Sequence, residues 1–352
     1  MNGNFNWQFR RSKYKFPKKK LFPSAFLMIM VIASACQKTT GYQRMEGMIW
    51  NTSYHISYKG SAELQDSVLP VLNEVSRSLS VFDPNSLLSH LNGSDSIVAD
   101  DHFKKVYDTS LEINKLSRGN FDPTVSPLIT AWGFGIGHEV NADTLAVDSV
   151  LQFVGIEKTR REGNIIFKND IRTQFNFSAI AKGYGCDAVG EMFRRNRVAD
   201  YMIEIGGEIA LSGESPSGRD WRISIDAPIE DLTPQHKSAL VIGITDAGIA
   251  TSGNYRNFRK EGANTYAHTI SPVSGRPYVN GILSATVIAP TCMEADALAT
   301  ACMASPLDLA KEIIMNYKAE GFLILADTVW MSPGFEKYII SESSEPGSKD
   351  RN

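Results

Sequence analysis

Hydrophobic and polar positions along the chain follow two periods, which predicts a mixture of β-strands and α-helices. Residues 51–60 alternate with period two and include β-branched and aromatic side chains, so we expect a strand there. Similar patterns predict strands at 164–169, 172–178, 200–211, 220–226, 239–244, 281–290, 321–325 and 335–340. Apolar residues at helical spacing predict helices at 62–80, 100–117, 143–153, 179–195, 292–304 and 306–317.

The order of these elements lacks a regular strand–helix–strand rhythm. It therefore favours an α+β fold, with largely antiparallel sheets and packed helices, over a doubly wound parallel sheet. No repeat of fixed period and no Pro/Ser-rich linker interrupts 45–342, so we expect one folded unit there. The polar tail at 343–352 has the composition of a disordered segment.

The first 35 residues have a composition of their own, with seven basic residues and no acidic one. The apolar run LFPSAFLMIMVIASA follows and ends at Cys36, in the order of a secretory signal. The run is short for a membrane span, and ASAC resembles the lipobox of bacterial lipoproteins, with Cys36 as the lipidated residue. We expect a lipoprotein signal at 1–35 and a polar tether at 36–44, the alternative being an uncleaved N-terminal anchor. Either arrangement places the folded unit in the cell envelope, tethered to a membrane and outside the cytoplasm.

The net charge changes once that signal is set aside. The chain has 36 basic and 39 acidic residues, and without 1–35 the basic residues number 29, so the formal charge falls from −3 to −10. An acidic protein of this kind is a poor candidate for nucleic-acid binding. Three cysteines besides Cys36 show no CxxC spacing, which favours buried thiols over a disulfide framework or a zinc site.

The segment CMEADALATAC, residues 292–302, places two polar side chains on one face of a largely apolar helix. Thr291 and Glu294 fit a capping box, so the helix begins just after the threonine and does not need Asp296 as its cap. Asp296 and Thr300 are four residues apart and stack on one face. A carboxylate and a hydroxyl so arranged suit Mg²⁺, which prefers oxygen ligands. The alternative is that Thr300 bonds back to the carbonyl of Asp296, while the Asp296 carboxylate meets solvent or a buried amide.

Two further stretches offer groups that suit a flat or anionic ligand. GNFDPTVSPLITAWGFG, residues 119–135, presents Phe121, Trp132 and Phe134 either to an aromatic ring or to the core of a packed loop. SAIAKGYGCDAVG places Lys182 in the first turn of a helix, where the ammonium and the free amides attract an anion together. The alternative is an ordinary surface lysine.

A glycine pair and one histidine complete the candidates. IEIGGEIALSGE has Gly206 and Gly207 between two strand-like runs, which indicates a hairpin turn or a close approach of backbone to a ligand. His268 is the only one of six histidines inside a dense run of polar and turn residues. It is a candidate catalytic residue, although a lone histidine is more often structural.

Seven stretches occur in an order that resembles the ApbE family, the FAD:protein FMN transferases. They are SVFDPNSLLSHLN, GNFDPTVSPLITAWGFG, FSAIAKGYGCDAV, IEIGGEIALSGE, IATSGNYRNF, HTISPVSGRP and APTCMEADALAT. The resemblance covers nearly all of 45–325, and seven motifs in order are highly specific although each alone is weak. It implies an α+β flavin-binding domain with FAD across a central cleft.

The resemblance also implies a set of site residues. Asp296 and Thr300 match the side-chain ligands of the family's Mg²⁺ site, and Ala179 matches the residue that supplies a backbone carbonyl. His268 matches the histidine regarded as the catalytic base. The positions that match contacts to the flavin nucleotide are Trp50, Phe82, Asn120, Phe121, Asp122, Asn176, Lys182, Ser252 and Ile270.

Several of these positions depart from the family pattern. Trp50 replaces a usual Met, Phe82 a frequent Tyr, and Asn176 a common Asp. The family's H-x-x-D-P has Ser271 in place of its Asp, so a carboxylate three residues after His268 is missing. That loss bears on the orientation of His268.

The activity that the resemblance implies is a Mg²⁺-dependent transfer of FMN from FAD, the substrate, to a Ser or Thr hydroxyl of a partner protein, with release of AMP. Known acceptors of the family are subunits of membrane redox pumps, which face the compartment that a lipid-anchored envelope protein would occupy. Two alternatives stay open: hydrolysis of FAD to FMN and AMP, and flavin binding without catalysis.

Overall fold

A computed structural model describes residues 41–133, 144–228, 238–253, 258–261, 264–267 and 269–340, without the side chains of 144–146, 258–261 and 264–267. Outside the described residues lie Phe134, His268, Cys36 with the predicted signal at 1–35, and the tail at 343–352. The folded unit begins at Gly41.

The described chain contains 15 strands and eight α-helices without a regular strand–helix–strand order. The strands are β1 (Tyr42–Ile49), β2 (Thr52–Lys59), β3 (Ser96–Val98), β4 (Thr159–Glu162), β5 (Ile165–Lys168), β6 (Tyr201–Ile205), β7 (Glu208–Ser212), β8 (Trp221–Asp226), β9 (Ser238–Ile244), β10 (Ala247–Gly253), β11 (Phe258–Glu261), β12 (Asn264–Ala267), β13 (Ile282–Ala289), β14 (Glu320–Leu325) and β15 (Val329–Met331). The helices are α1 (Gln65–Leu79), α2 (Leu87–Asn92), α3 (Asp101–Leu116), α4 (Ser126–Ala131), α5 (Thr144–Leu151), α6 (Ala181–Arg195), α7 (Cys292–Ala304) and α8 (Leu307–Asn316).

The centre of the fold is an eight-stranded sheet in the order β1-β2-β6-β7-β10-β13-β14-β15, and every neighbouring pair in it is antiparallel. Smaller antiparallel sheets are formed by β3-β5-β4, by β8-β9 and by β11-β12. The predicted α+β class with antiparallel sheets is confirmed.

Both faces of β13 pack in buried cores. On one face Ala285 and Val287 of β13 pack in a core with α7, and on the other Ile288 packs in a core with Trp221 and Phe322. Helix α7 is itself buried at 11 of its 13 residues. A helix that is buried on all sides can hold polar side chains only where they find partners.

Two of the predicted strands are wrong. In 172–178, Phe175 and Phe177 are buried at every second position, which produces the period-two pattern. The backbone of Phe175, however, pairs with a side-chain amide: its N–H donates to Asn92 Oδ1 at 2.7 Å, and Asn92 Nδ2 donates to its carbonyl at 2.9 Å. In 335–340 the chain forms a short 3-10 helix, Glu336–Tyr338.

The boundaries differ at the start of the folded unit. Strand β1 begins at Tyr42, so the last residues of the predicted tether form an edge strand of the central sheet. The predicted helix at 62–80 is divided into a short 3-10 helix, Ala62–Leu64, and α1, which contains Pro70. Both differences have one origin, since long-range packing outweighs a local composition signal.

Candidate active site

The N-terminus of α7 is capped without any help from Asp296. The predicted capping box is present: Thr291 Oγ1 accepts from the Glu294 N–H at 3.2 Å, and Glu294 Oε2 accepts from the Thr291 N–H at 3.0 Å. A second carboxylate, Asp187 of α6, accepts from the N–H groups of Cys292 at 3.0 Å and Met293 at 2.8 Å. The first amides of the helix are therefore satisfied by neighbours, and Asp296 is available for another role.

Asp296 and Thr300 lie on the face of α7 that lines a cavity, as the spacing predicted. Asp296 is 4% exposed, and its Oδ2 accepts from the Gly183 N–H of α6 at 3.0 Å. One turn further, Thr300 Oγ1 lies 3.3 Å from Ser252 Oγ on β10. Two helices and a strand thus bring their polar atoms to one wall.

The close approach of α6 to α7 depends on a glycine. A Cβ atom at Gly183 would lie 2.3 Å from the Cys292 carbonyl oxygen and 2.8 Å from Asp296 Cβ. Only a residue without a side chain lets the helices come near enough for the Gly183 amide to reach the Asp296 carboxylate.

Lys182, next to that glycine, faces the same cavity and forms an ion pair with Glu208 of β7. The Lys182 Nζ to Glu208 Oε2 distance is 2.5 Å, and Glu208 is 4% exposed. Burial raises the pKa of Glu208, and the nearby Asp296 charge raises it further. Burial likewise raises the pKa of Asp296. Burial opposes the charge of Lys182, but Asp296 and Glu208 together raise its pKa above the usual value. One ammonium thus lies beside two buried carboxylates, and because burial raises the pKa of both, a further cation on this wall would stabilise their ionised forms.

Glu208 reaches the cavity because a tight turn precedes it. Gly206 and Gly207 have φ of +64° and +101° and join β6 to β7 as a hairpin. Both glycines also line the cavity. The two alternatives for this pair, a hairpin turn and a place of close backbone approach, therefore apply together.

The loop after α3 also lines the cavity. Asp122 is buried, and its carboxylate organises this loop: it accepts from the Thr124 N–H at 2.8 Å and from the Ile156 N–H at 2.9 Å. Burial raises the pKa of Asp122. The neighbouring Asn120 donates to Ser117 O at 2.9 Å.

The segment before α6 connects that loop to the side of the cavity that carries Lys182 and Asp296. The N–H of Asn176 donates to Pro123 O at 2.7 Å, and Asn176 Oδ1 accepts from the Ser178 N–H at 2.8 Å. Ala179 follows and lines the cavity. The loop and the start of α6 are therefore held as one surface.

The cavity has a volume of about 660 Å³, within the range of sites that enclose a small molecule. It brings together ten of the predicted site residues, which are Asn120, Phe121, Asp122, Asn176, Ala179, Lys182, Ser252, Ile270, Asp296 and Thr300. Sequence reasoning missed other lining residues, among them Glu208, Ser224, Asp226 and Thr251. The only signal for Glu208 was its position directly after the glycine pair.

Two predicted contacts lie elsewhere among the described residues. Trp50 sits in the turn between β1 and β2 with φ of +50°, donates from Nε1 to Ser76 Oγ at 2.5 Å and rests its ring against Gly185. Phe82 is 70% exposed on the loop after α1. Neither lines the described cavity. His268 lies outside the described residues, although its neighbours Thr269 and Ile270 line the cavity.

Ser271, the residue that replaces the family's Asp, is buried within a turn. Its N–H donates to Arg276 O at 2.9 Å, and its Oγ accepts from the Ser274 N–H at 3.2 Å. An aspartate accepts from a turn amide in the same way, so serine preserves this turn contact while removing a charge.

Comparisons with known proteins agree with this geometry. The ApbE family matches residues 50–323. An FAD:protein FMN transferase of Vibrio cholerae is 34% identical over 79% of this chain and 85% of its own length, and one of Haemophilus influenzae is 31% identical over 87% and 93%. The solved structure of the flavin transferase ApbE from Vibrio cholerae superposes with a TM-score of 0.76 at 30% identity, covering 84% of this chain and 99% of that one. With the motifs, the sheet order and the cavity in agreement, the chain belongs to the ApbE family.

Proposed function

We propose that the protein transfers FMN from FAD to a Ser or Thr hydroxyl of an acceptor protein and releases AMP. The observation that carries the proposal is the meeting of Asp296, Thr300 and Lys182 in one cavity whose lining also includes Phe121 and Ile270. A charged wall suits a pyrophosphate and an apolar wall suits a flat ring, and FAD contains both groups. The activity in the names of the relatives supports the same reaction.

The residues present fit a Mg²⁺ ion. Asp296 offers a carboxylate, Thr300 a hydroxyl and Ala179 a backbone carbonyl, all of them hard oxygen donors. A bound cation would also stabilise the ionised forms of Asp296 and Glu208, whose pKa values burial raises. No cluster of three or more His, Cys, Asp or Glu suited to a metal occurs among the described residues. That sparse donor set suits Mg²⁺, which usually keeps waters and substrate phosphates as its other ligands.

The chain's own groups divide the work of the transfer. Lys182 attracts the phosphates, whereas the Ala181 and Gly183 amides of α6 are already bonded to Phe177 O and Asp296, contrary to the expectation of free amides there. Phe121 and Ile270 line the cavity where the ring would lie. His268 takes the proton of the acceptor hydroxyl, whose oxygen attacks the phosphorus on the FMN side. A new phosphoester P–O bond forms, the pyrophosphate P–O bond breaks, and AMP leaves. Bound Mg²⁺ would supply Lewis-acid stabilisation of the charge on the phosphate oxygens.

One experiment separates this reaction from its alternatives. The purified protein is incubated with FAD and Mg²⁺, with and without a fragment of a membrane redox-pump subunit, and with EDTA as a third arm. Transfer gives covalent flavin on the fragment, seen by in-gel fluorescence, together with AMP. AMP release that does not depend on the fragment would identify a hydrolase, and bound FAD without AMP would identify a flavin-binding protein.

His268→Ala is expected to lower covalent transfer by about 10²–10⁴-fold, the usual contribution of a general base. FAD affinity should change little, because a base acts in the transition state. Wild-type transfer should also decline at acid pH, where a protonated imidazole cannot accept the proton. Rates of flavin incorporation and equilibrium titrations with FAD measure the two effects. Flavin transfer by His268→Ala at the wild-type rate would contradict the assignment of His268 as the general base.

We also propose that the protein is lipid-anchored through Cys36 in the cell envelope and acts there on a membrane redox-pump subunit. The support is the basic and apolar order of 1–35 and the ASAC sequence. Within the described residues, no helix combines the length and the apolar character needed to span a membrane. Cys36→Ser should accumulate as precursor or appear in the soluble fraction. A processed, membrane-bound Cys36→Ser protein would contradict the proposal.

A further inference from the structure

Glu208 is a buried acid in the cavity wall to which neither the motifs nor the reaction above gives a role. We infer that Glu208 is a positioning residue: it holds the Lys182 ammonium towards the bound nucleotide and keeps it from pairing with Asp296. The inference rests on the proposed function, because it assigns Lys182 to the flavin nucleotide and Asp296 to the cation.

Lys182 lies near two carboxylates, those of Glu208 and Asp296, and can pair with either. Its Nζ lies 2.5 Å from Glu208 Oε2, while Asp296 is close enough to act on the ammonium through its charge. Lysine is a point charge on a flexible four-carbon stem and follows whichever partner is stronger. The bond to the buried Glu208 therefore determines where the ammonium lies.

The backbone holds Glu208 firmly in that place. It is the first residue of β7 and pairs with Ile205 across the hairpin. The turn before it is tied down on its outer side, where Glu204 Oε1 accepts from the Gly207 N–H at 2.6 Å. The Cys186 thiol of α6 contacts the Glu208 carbonyl oxygen at 3.3 Å. Strand, turn and helix all fix the main chain of Glu208. Its carboxylate therefore offers the flexible Lys182 side chain a partner in a fixed position.

Removing the Glu208 charge should free the ammonium to move towards Asp296. Two losses follow: the nucleotide loses a positioned cation, and Mg²⁺ must compete with Lys182 for the Asp296 carboxylate. A hydrogen bond to a charged group contributes enough to change an equilibrium by about tenfold or more. We expect Glu208→Gln to weaken metal-free FAD binding by about tenfold and to raise the Mg²⁺ concentration needed for half-saturation by a similar factor.

The test is a double-mutant cycle in which flavin fluorescence measures FAD affinity. The affinities are measured first without metal, and the Mg²⁺ concentration needed for half-saturation is then measured for each protein. The proteins are wild type, Glu208→Gln, Lys182→Met and the double variant. If Glu208 acts through Lys182, the double variant should bind FAD as weakly as Lys182→Met alone. Its Mg²⁺ requirement should also return towards the wild-type value, because the competing ammonium is gone. Additive losses, or a Mg²⁺ requirement that Glu208→Gln leaves unchanged, would overturn the inference.

Glu204→Gln is the matched control from the same hairpin. Glu204 contacts His55 and the Gly207 amide on the exposed side, and a glutamine oxygen still accepts from that amide. It should bind FAD like wild type. If Glu208→Gln folds poorly, Glu208→Asp replaces it, since the shorter acid keeps the charge but retracts it; wild-type affinity in that folded variant would count against positioning. Failure of wild type itself to bind FAD would instead refute the proposed function.

Discussion

Asp296→Ala should lower Mg²⁺-stimulated FMN transfer by about 10³-fold, since a metal acting as Lewis acid contributes several kcal/mol to charge stabilisation. The carboxylate is the only charged group in the proposed donor set, and a water that replaces it brings no charge. FAD binding should weaken much less, because the apolar wall at Phe121 and Ile270 is unaffected. Flavin incorporation and AMP release at several Mg²⁺ concentrations measure the effect, and an unchanged Mg²⁺ dependence would remove the assignment.

Two companion variants separate the metal role of Asp296 from its packing role. Asp296→Asn keeps an oxygen that can accept from the Gly183 N–H but removes one buried negative charge. It should therefore lose transfer as Asp296→Ala does while melting at the same or a higher temperature. Thr300→Val removes a neutral ligand that a water can replace, so its loss of transfer should be smaller. A stable Asp296→Asn protein with full activity would contradict the model of the site.

Gly183→Ala should destabilise the protein by about 1–3 kcal/mol, a typical cost of overpacking, and lower transfer at the same time. The added methyl group would lie 2.3 Å from the Cys292 carbonyl oxygen, which is backbone and cannot rotate away. Alanine is otherwise the better helix former by about 1 kcal/mol, so a loss of stability must come from the contact between α6 and α7. Chemical denaturation and the transfer assay measure the two effects.

Gly190→Ala on the same helix is its matched control. There the new methyl group would lie 3.0 Å from the Tyr201 hydroxyl, which is a longer distance than at Gly183 and involves a side chain, not backbone. We expect a smaller loss of stability and little change in transfer. Equal stability losses in the two variants would show that the close approach at Gly183 has no special importance.

Sequence patterns predicted structure most reliably at helix caps and turns, where a residue type has a specific role among its near neighbours in the chain. The capping box at Thr291 fixed the phase of α7, and with it the common face of Asp296 and Thr300. The antiparallel order followed from short strands separated by turns, such as the pair at Gly206. These features depend on neighbours within a few residues, so the chain alone reveals them.

The failures concern partners that are distant in sequence. Phe175 alternates like a strand residue, but the side chain that occupies its backbone belongs to Asn92, 83 positions earlier. Glu208 looks like an ordinary strand acid until the fold buries it against Lys182, 26 positions away. Period and spacing contain no information about such pairs, because the pairing depends on how helices and sheet pack.

The reciprocal bonds between α6 and α7 have a consequence for the thermodynamics of nucleotide binding. Asp187 of α6 caps α7, and Asp296 of α7 accepts from Gly183 of α6, so each helix fixes the other before any ligand arrives. The conformational entropy of this wall is therefore lost when the chain folds and not when FAD binds. A preorganised wall leaves more of the interaction free energy for affinity, and its amides should rank among the slowest to exchange hydrogen with solvent.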